Sequence, residues 1–278
     1  MLNNTIHIGN SPAAPFLAFG DESIAGDGDT VVYAYVVVHR RRIHQVEARL
    51  RRLKSRFKIP QGVMLHCRQL MAPHQREKLG ISHLTTEHAR NVIGHAVTLM
   101  NESAVWVKYA YCSLEEVAAT MGKEIVLRNQ DGSESIAQPV NVSSKAVVGM
   151  LAHMSMVAVA KGNPGPRAED CQIFASEERT PVQPLFGSGP MRRADSTFTG
   201  FSDVGAPAGY AFQVMSTVAP AQEMACFQLA DIAAYMCANA LAKNRRYPFY
   251  ADQVARLRLW TASRFMPWGP DGRSIQRP

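Results

Sequence analysis

Between Glu223 and Lys243 the chain carries one formal charge, Asp231. The segment around it, ACFQLADIAAYM from Ala225 to Met236, contains neither Gly nor Pro and reads as a long helix that is apolar on nearly every side. Such a helix belongs in a protein core or in a membrane. A mid-helix Asp costs about 2.5–3.5 kcal/mol on membrane-insertion scales, which an Ala-rich sequence does not offset. The core reading therefore stands, and it carries a condition. A carboxylate in a core costs several kcal/mol unless it is paired or metal-bound. The fold must bring Asp231 a partner, either locally (Tyr235 one turn on, Gln228 one turn back) or from elsewhere in the chain.

The rest of the sequence alternates strands and helices. PFLAF (Pro15 to Phe19) and VVYAYVVV (Val31 to Val38) are strands flanking turn chemistry at Asp27-Gly28, a hairpin in outline. Ile43, Val46, Leu50, Leu53 and Phe57 fall on one helix face, and the positions between them are basic: Arg49, Arg51, Arg52, Lys54, Arg56 and Lys58. VMLHCRQL (Val63 to Leu70) is a short strand or turn carrying His66. A helix capped at Thr85 or Thr86 follows, then a strand over Ala104 to Ser113 and a short Ser-capped helix. A hairpin insertion is expected around 123–142, turning at Asp131-Gly132. Next come an apolar helix ending near Gly162, a strand from Cys171 into Glu177 and Glu178, and a Pro- and Gly-rich loop around 179–209. A strand (Tyr210 to Ala219), the helix of Asp231 and a last helix over Ala251 to Phe265 complete the chain. The pattern predicts a single α/β domain over 1–278, with a mixed sheet that starts from a hairpin and continues through crossover connections.

The 278 residues suffice for a core without staples, and the five cysteines are scattered, with no C-x-x-C pair. Free buried thiols in a reducing compartment are expected. The N-terminus lacks a signal-peptide pattern, which points to a cytoplasmic protein with no membrane partner. A net charge of +7 and a pI near 9.3 point to a polyanionic partner, most simply nucleic acid. There is no phosphate-binding G-x-x-x-x-G-K-[ST] loop, G-x-S-x-G elbow or H-E-x-x-H pair.

Carboxylates stand where apolar segments end or are interrupted: Asp21 after the first strand, Glu177 and Glu178 after CQIFA, and Asp231 in its helix. If the two strands are parallel neighbours, Asp21 and Glu177 approach one end of the sheet, and a helix beside it presents Asp231. Converging carboxylates need cations, and Mg²⁺ or Mn²⁺ fits an oxygen-only set.

FLAFGDES, MLHC and MSTVAPAQEMACFQLAD together resemble, in order along the chain, the D-E-S, L-H and strand-serine-Q-L-A-D signatures of the domain of unknown function 3800 family. The resemblance implies a ribonuclease H-like fold, with a mixed sheet of about five strands and flanking helices. It implies catalytic, metal-binding acids at Asp21, Glu177 (with Glu178 in reserve) and Asp231, with Mg²⁺ or Mn²⁺ as cofactor. Glu22, Gln228, His66 and Ser216 are candidates for supporting or substrate-contacting roles. The chain departs from the family pattern at Ile24, where a glycine is usual. The function so implied is metal-dependent phosphodiester hydrolysis in nucleic acid. The alternatives are a non-catalytic nucleic-acid-binding or assembly module on the same fold, and an enzyme acting on a small phosphorylated metabolite.

Overall fold

The computed structural model describes residues 14–121, 125–128, 134–137, 151, 155, 165–167, 170–176, 212–215, 221–242 and 248–264. In chain order the described elements are β1 (Phe16–Ile24), β2 (Thr30–His39), α1 (Ile43–Arg56), α2 (Cys67–Met71), α3 (Pro73–Lys78), α4 (Thr86–Glu102), β3 (Trp106–Ser113), α5 (Leu114–Met121), β4 (Ile125–Arg128), β5 (Glu134–Ala137), β6 (Cys171–Ser176), β7 (Phe212–Met215), α6 (Ala221–Leu241), α7 (Pro248–Ala255) and β8 (Trp260–Arg264).

Six strands form one mixed sheet in the order β7-β6-β1-β2-β3-β8, and β4 and β5 pair separately as an antiparallel ladder. β1, β2 and β3 are an antiparallel meander; β6 lies parallel to β1, β7 parallel to β6, and β8 parallel to β3. The first turn is held by Asp27, whose Oδ1 accepts from the backbone N–H groups of Asp29 and Thr30, each at 3.0 Å. Gly28 sits there at φ +76°, the left-handed region that favours glycine. Asp29, also in this turn, reaches across to β3. Its carboxylate accepts from Ser113 Oγ at 2.9 and 2.7 Å and from Glu115 N at 2.8 Å, capping α5.

Side chains alternate across the sheet. On one face, Leu17 and Phe19 of β1, Val32, Ala34, Val36 and Val38 of β2, and Val107 and Tyr109 of β3 join the core with α1, α4 and α6. α6 packs on β1 and β2 and is covered in turn by α1 and α7. Met224–Leu241 has the length and apolarity of a membrane span (mean hydropathy 1.3), but 67% of it is buried inside the fold. It is the core helix that its composition predicts. All five cysteines are free and buried.

Three local readings are corrected. β1 does not stop before Asp21 but runs on to Ile24, with Asp21 opposite Ala34 of β2. VMLHCRQL turns helical at Cys67, because α2 starts there. The last helix starts at Pro248 and ends at Ala255; Trp260–Arg264 is instead the sixth strand of the main sheet. Here tertiary contacts override helical patterning. Trp260 stacks on Tyr109 at 6.1 Å, and Arg264 Nη2 pairs with both oxygens of Glu116 at 2.8 and 2.9 Å. Most of the helix expected to end near Gly162, and the loop around 179–209, lie outside the described residues.

The opposite face explains the residue before Asp21. A Cβ on Gly20 would lie 2.5 Å from Tyr33 Oη and 2.5 Å from Tyr35 Cε1, both in fully or almost fully buried rings. Only glycine lets the two rings close over β1. Gly20→Ala is expected to lower unfolding stability by about 1–3 kcal/mol through overpacking. Urea denaturation checks this, and an unchanged midpoint would contradict it.

Candidate functional site

One ridge of α6 remains partly accessible while its flanks are buried: Phe227, Asp231, Tyr235 and Asn239, each four residues after the last. The ridge is anchored to β1 near both ends. Phe227 meets Phe19 edge-on at 5.3 Å, and Asn239 Oδ1 accepts from Gly26 N at 3.3 Å, just beyond β1. Each ridge step advances about 6 Å along the helix. Each same-face step of β1 advances about 7 Å. Asp231 is one step beyond Phe227, and Asp21 is one step beyond Phe19 on the strand face that α6 covers. The anchors therefore place the two aspartates at the same level of the layer between β1 and α6. Asp21 Oδ1 also accepts from the N–H of Glu22 at 2.9 Å. Glu22 pairs in register with Tyr33 and so projects from the opposite face of the sheet.

Asp231 finds its partners at long range, in the segment just before α2. Its Oδ2 accepts from the backbone N–H of Cys67 at 2.7 Å, and its Oδ1 lies 3.2 Å from His66 Nδ1. Gln228 completes the attachment one turn earlier. Its Oε1 accepts from Leu65 N at 3.0 Å, while its Nε2 donates to Met224 O at 3.1 Å. Leu65 and Cys67 are both fully buried, so these two N–H groups need protein acceptors. The segment is extended at His66 (φ −104°, ψ 120°), which turns the alternate amides of Leu65 and Cys67 toward α6. From the other side Lys54, 3% exposed, donates its ammonium hydrogens to Gln61 O at 3.0 Å and Val63 O at 2.7 Å. Burial lowers its pKa to about 8.

Two sequence expectations change here. Gln228 serves Leu65 rather than bonding Asp231 directly; it is 5% exposed, and both ends of its amide hold backbone. Lys54, one of the basic positions read on α1, is buried and does not belong to its exposed basic surface. The remaining basic residues of α1 are partly neutralised as well. Arg49 pairs with Glu102 of α4, and Arg51 with Glu47 at 2.6 Å, while Arg52, Arg56 and Lys58 are exposed. Glu177, Glu178 and Ser216 lie outside the described residues; β6 is described up to Ser176.

The surroundings narrow the chemistry. Cys67 lies beside the dyad, but burial and then the Asp231 charge push its thiol pKa well up, which disqualifies it as a thiolate nucleophile. Tyr235, the next rung of the ridge, meets Tyr250 of α7 edge-on at 5.6 Å; burial raises both phenols. The sequence reading missed this phenol pair and the Cys67 amide, since no sequence spacing links α6 to α7 or to the start of α2. Oxygen donors such as Asp21 and Asp231 suit a hard divalent cation, and each oxygen of Asp231 retains a second lone pair. Among the described residues, no three His, Cys, Asp or Glu side chains group closely enough to form a metal site on their own.

No family model, curated protein or solved structure matches this chain.

Gln228→Leu removes the acceptor of the buried Leu65 amide. It is expected to lower stability by about 1–3 kcal/mol and to speed hydrogen exchange at Leu65 and Cys67 more than at α4. Protection at Leu65 equal to that of the parent would contradict the clamp.

Proposed function

We propose that the protein is a divalent-metal-dependent hydrolase of phosphodiester bonds in nucleic acid, working in the cytoplasm. The observation that carries this reading is the pair of contacts Phe19–Phe227 and Gly26–Asn239, whose spacing brings Asp21 and Asp231 to about one level between β1 and α6, with His66 against Asp231. The strand order β3-β2-β1-β6-β7, a meander extended by parallel strands beside its first member, supports the ribonuclease H-like assignment. So does the order of the D-E-S, L-H and Q-L-A-D stretches, which the resemblance to the domain of unknown function 3800 family implies. In that family pattern Glu177 or Glu178 supplies the third acid.

Asp21 and Asp231 would hold Mg²⁺ or Mn²⁺. When bound, the ion supplies charge stabilisation at the phosphoryl oxygens and acidifies water at neutral pH. Asp231 meanwhile fixes His66 and the start of α2. Arg52 and Arg56 of α1, with Lys58 just beyond its end, form an exposed basic surface suited to a phosphate backbone. One observation favours the non-catalytic module as a second reading: both oxygens of Asp231 already accept or face a protein donor. That reading predicts salt-sensitive nucleic-acid binding without turnover.

The test is cleavage of labelled RNA and DNA oligonucleotides with Mn²⁺, with and without chelator. Parent protein is expected to cleave, and Asp21→Asn and Asp231→Asn to lose about 100-fold or more. Metal-independent cleavage, or two variants as active as the parent, would sink the proposal.

A further inference from the structure

We infer that Asp231, besides its place at the proposed cation, positions His66: it locks the imidazole as the Nδ1–H tautomer, so that Nε2 is the hydrogen-bond acceptor the site offers its ligand. A carboxylate can only accept, so the nitrogen 3.2 Å from Asp231 Oδ1 must donate. Nδ1 therefore carries a ring proton, and in the neutral imidazole the lone pair is on Nε2. The imidazole is 26% exposed and Asp231 18%, so the ring is partly accessible while its anchor is more enclosed. The anchor is itself fixed. Oδ2 is held by the Cys67 amide at 2.7 Å, and the neighbouring Leu65 amide is held by Gln228 at 3.0 Å. The carboxylate therefore cannot rotate without breaking a buried backbone hydrogen bond.

The lone pair restricts what can bind there. An acceptor does not face the anionic oxygens of a phosphate; it faces a donor. On the hydrolase reading of the preceding subsection, on which this step rests, that donor is the attacking water, which His66 aims at phosphorus. The same geometry predicts how Asp231→Asn fails. An Asn offers one acceptor and one donor group. The Cys67 N–H requires the acceptor, so the amide NH₂ turns to His66 Nδ1, and the ring proton moves to Nε2. The variant keeps its fold contacts while its imidazole presents a donor where an acceptor is needed.

Long-range proton–nitrogen NMR on the full chain reads the tautomer directly, with the His66 signal assigned by its loss in His66→Asn. The expected result is Nδ1–H in the parent and Nε2–H in Asp231→Asn. In the cleavage assay, His66→Asn keeps a donor toward Asp231 but has no atom at the Nε2 position. It is expected to lose about 100-fold. His66→Gln, which places a polar atom near that position, is expected to recover part of the loss. The Asp231→Asn/His66→Asn double variant is expected to be no worse than Asp231→Asn alone, because that variant has already removed the acceptor at Nε2. A parent with a proton on Nε2, alone or together with Nδ1–H, a tautomer unchanged by Asp231→Asn, or fully multiplicative losses would overturn the inference. A parent with the expected tautomer but no cleavage supports the His66 assignment and rejects the hydrolase reading alone.

Discussion

The attachment of Leu65–Cys67 to α6 is the constraint on which the site depends. Two buried backbone amides, separated by one residue, are satisfied by two side chains of one helix, Gln228 and Asp231, set three residues apart. A residue spacing of two in an extended segment is about 7 Å. A spacing of three in a helix is about 4.5 Å along its axis. The longer Gln side chain makes up part of the difference. Without these acceptors the core would contain unpaired N–H groups, and α2 would lose its starting point. The lone charge of the core helix is thus a structural anchor before it is anything chemical, and the same oxygens bring His66 into position.

The strand beneath this anchor is shaped from both sides. On the α6 face, Phe19 meets Phe227, and Asp21 follows one same-face step further along the strand. On the other face, Gly20 leaves room for Tyr33 and Tyr35. A side chain there would push on two buried rings and, through β1, on the position of Asp21. The glycine and the aspartate that follows it are parts of one arrangement, with packing on one face of the strand and polar chemistry on the other.

Much of the architecture was legible in the sequence, because hydrophobic period and turn chemistry are local. The β1–β2 hairpin and the buried α6 follow from such signals, whereas the antiparallel pairing of β3 with β2 and the parallel pairing of β6 with β1 are set by the fold. β8 was not legible: Trp260–Arg264 continues a helical pattern and becomes a strand only because β3 has an open edge and Tyr109 a face to stack on. The solitary charge of Asp231 correctly announced a partner, but not which one. The nearby residues Gln228 and Tyr235 were the obvious choices, yet Gln228 serves Leu65, and the partners of Asp231 come from about 165 residues earlier in the chain. Lys54 misled for the same reason. In sequence it is one more cation on a basic helix face, and only the fold shows two carbonyl oxygens waiting for it.

The central claim is that Asp21 and Asp231 serve one centre. Calorimetric titration of the intact protein with Mn²⁺ tests it most directly, comparing the parent with Asp21→Asn and Asp231→Asn under conditions where both variants remain folded. The account predicts saturable binding in the parent and its loss in each variant. Binding that survives unchanged in either one would show that the two carboxylates do not share a cation.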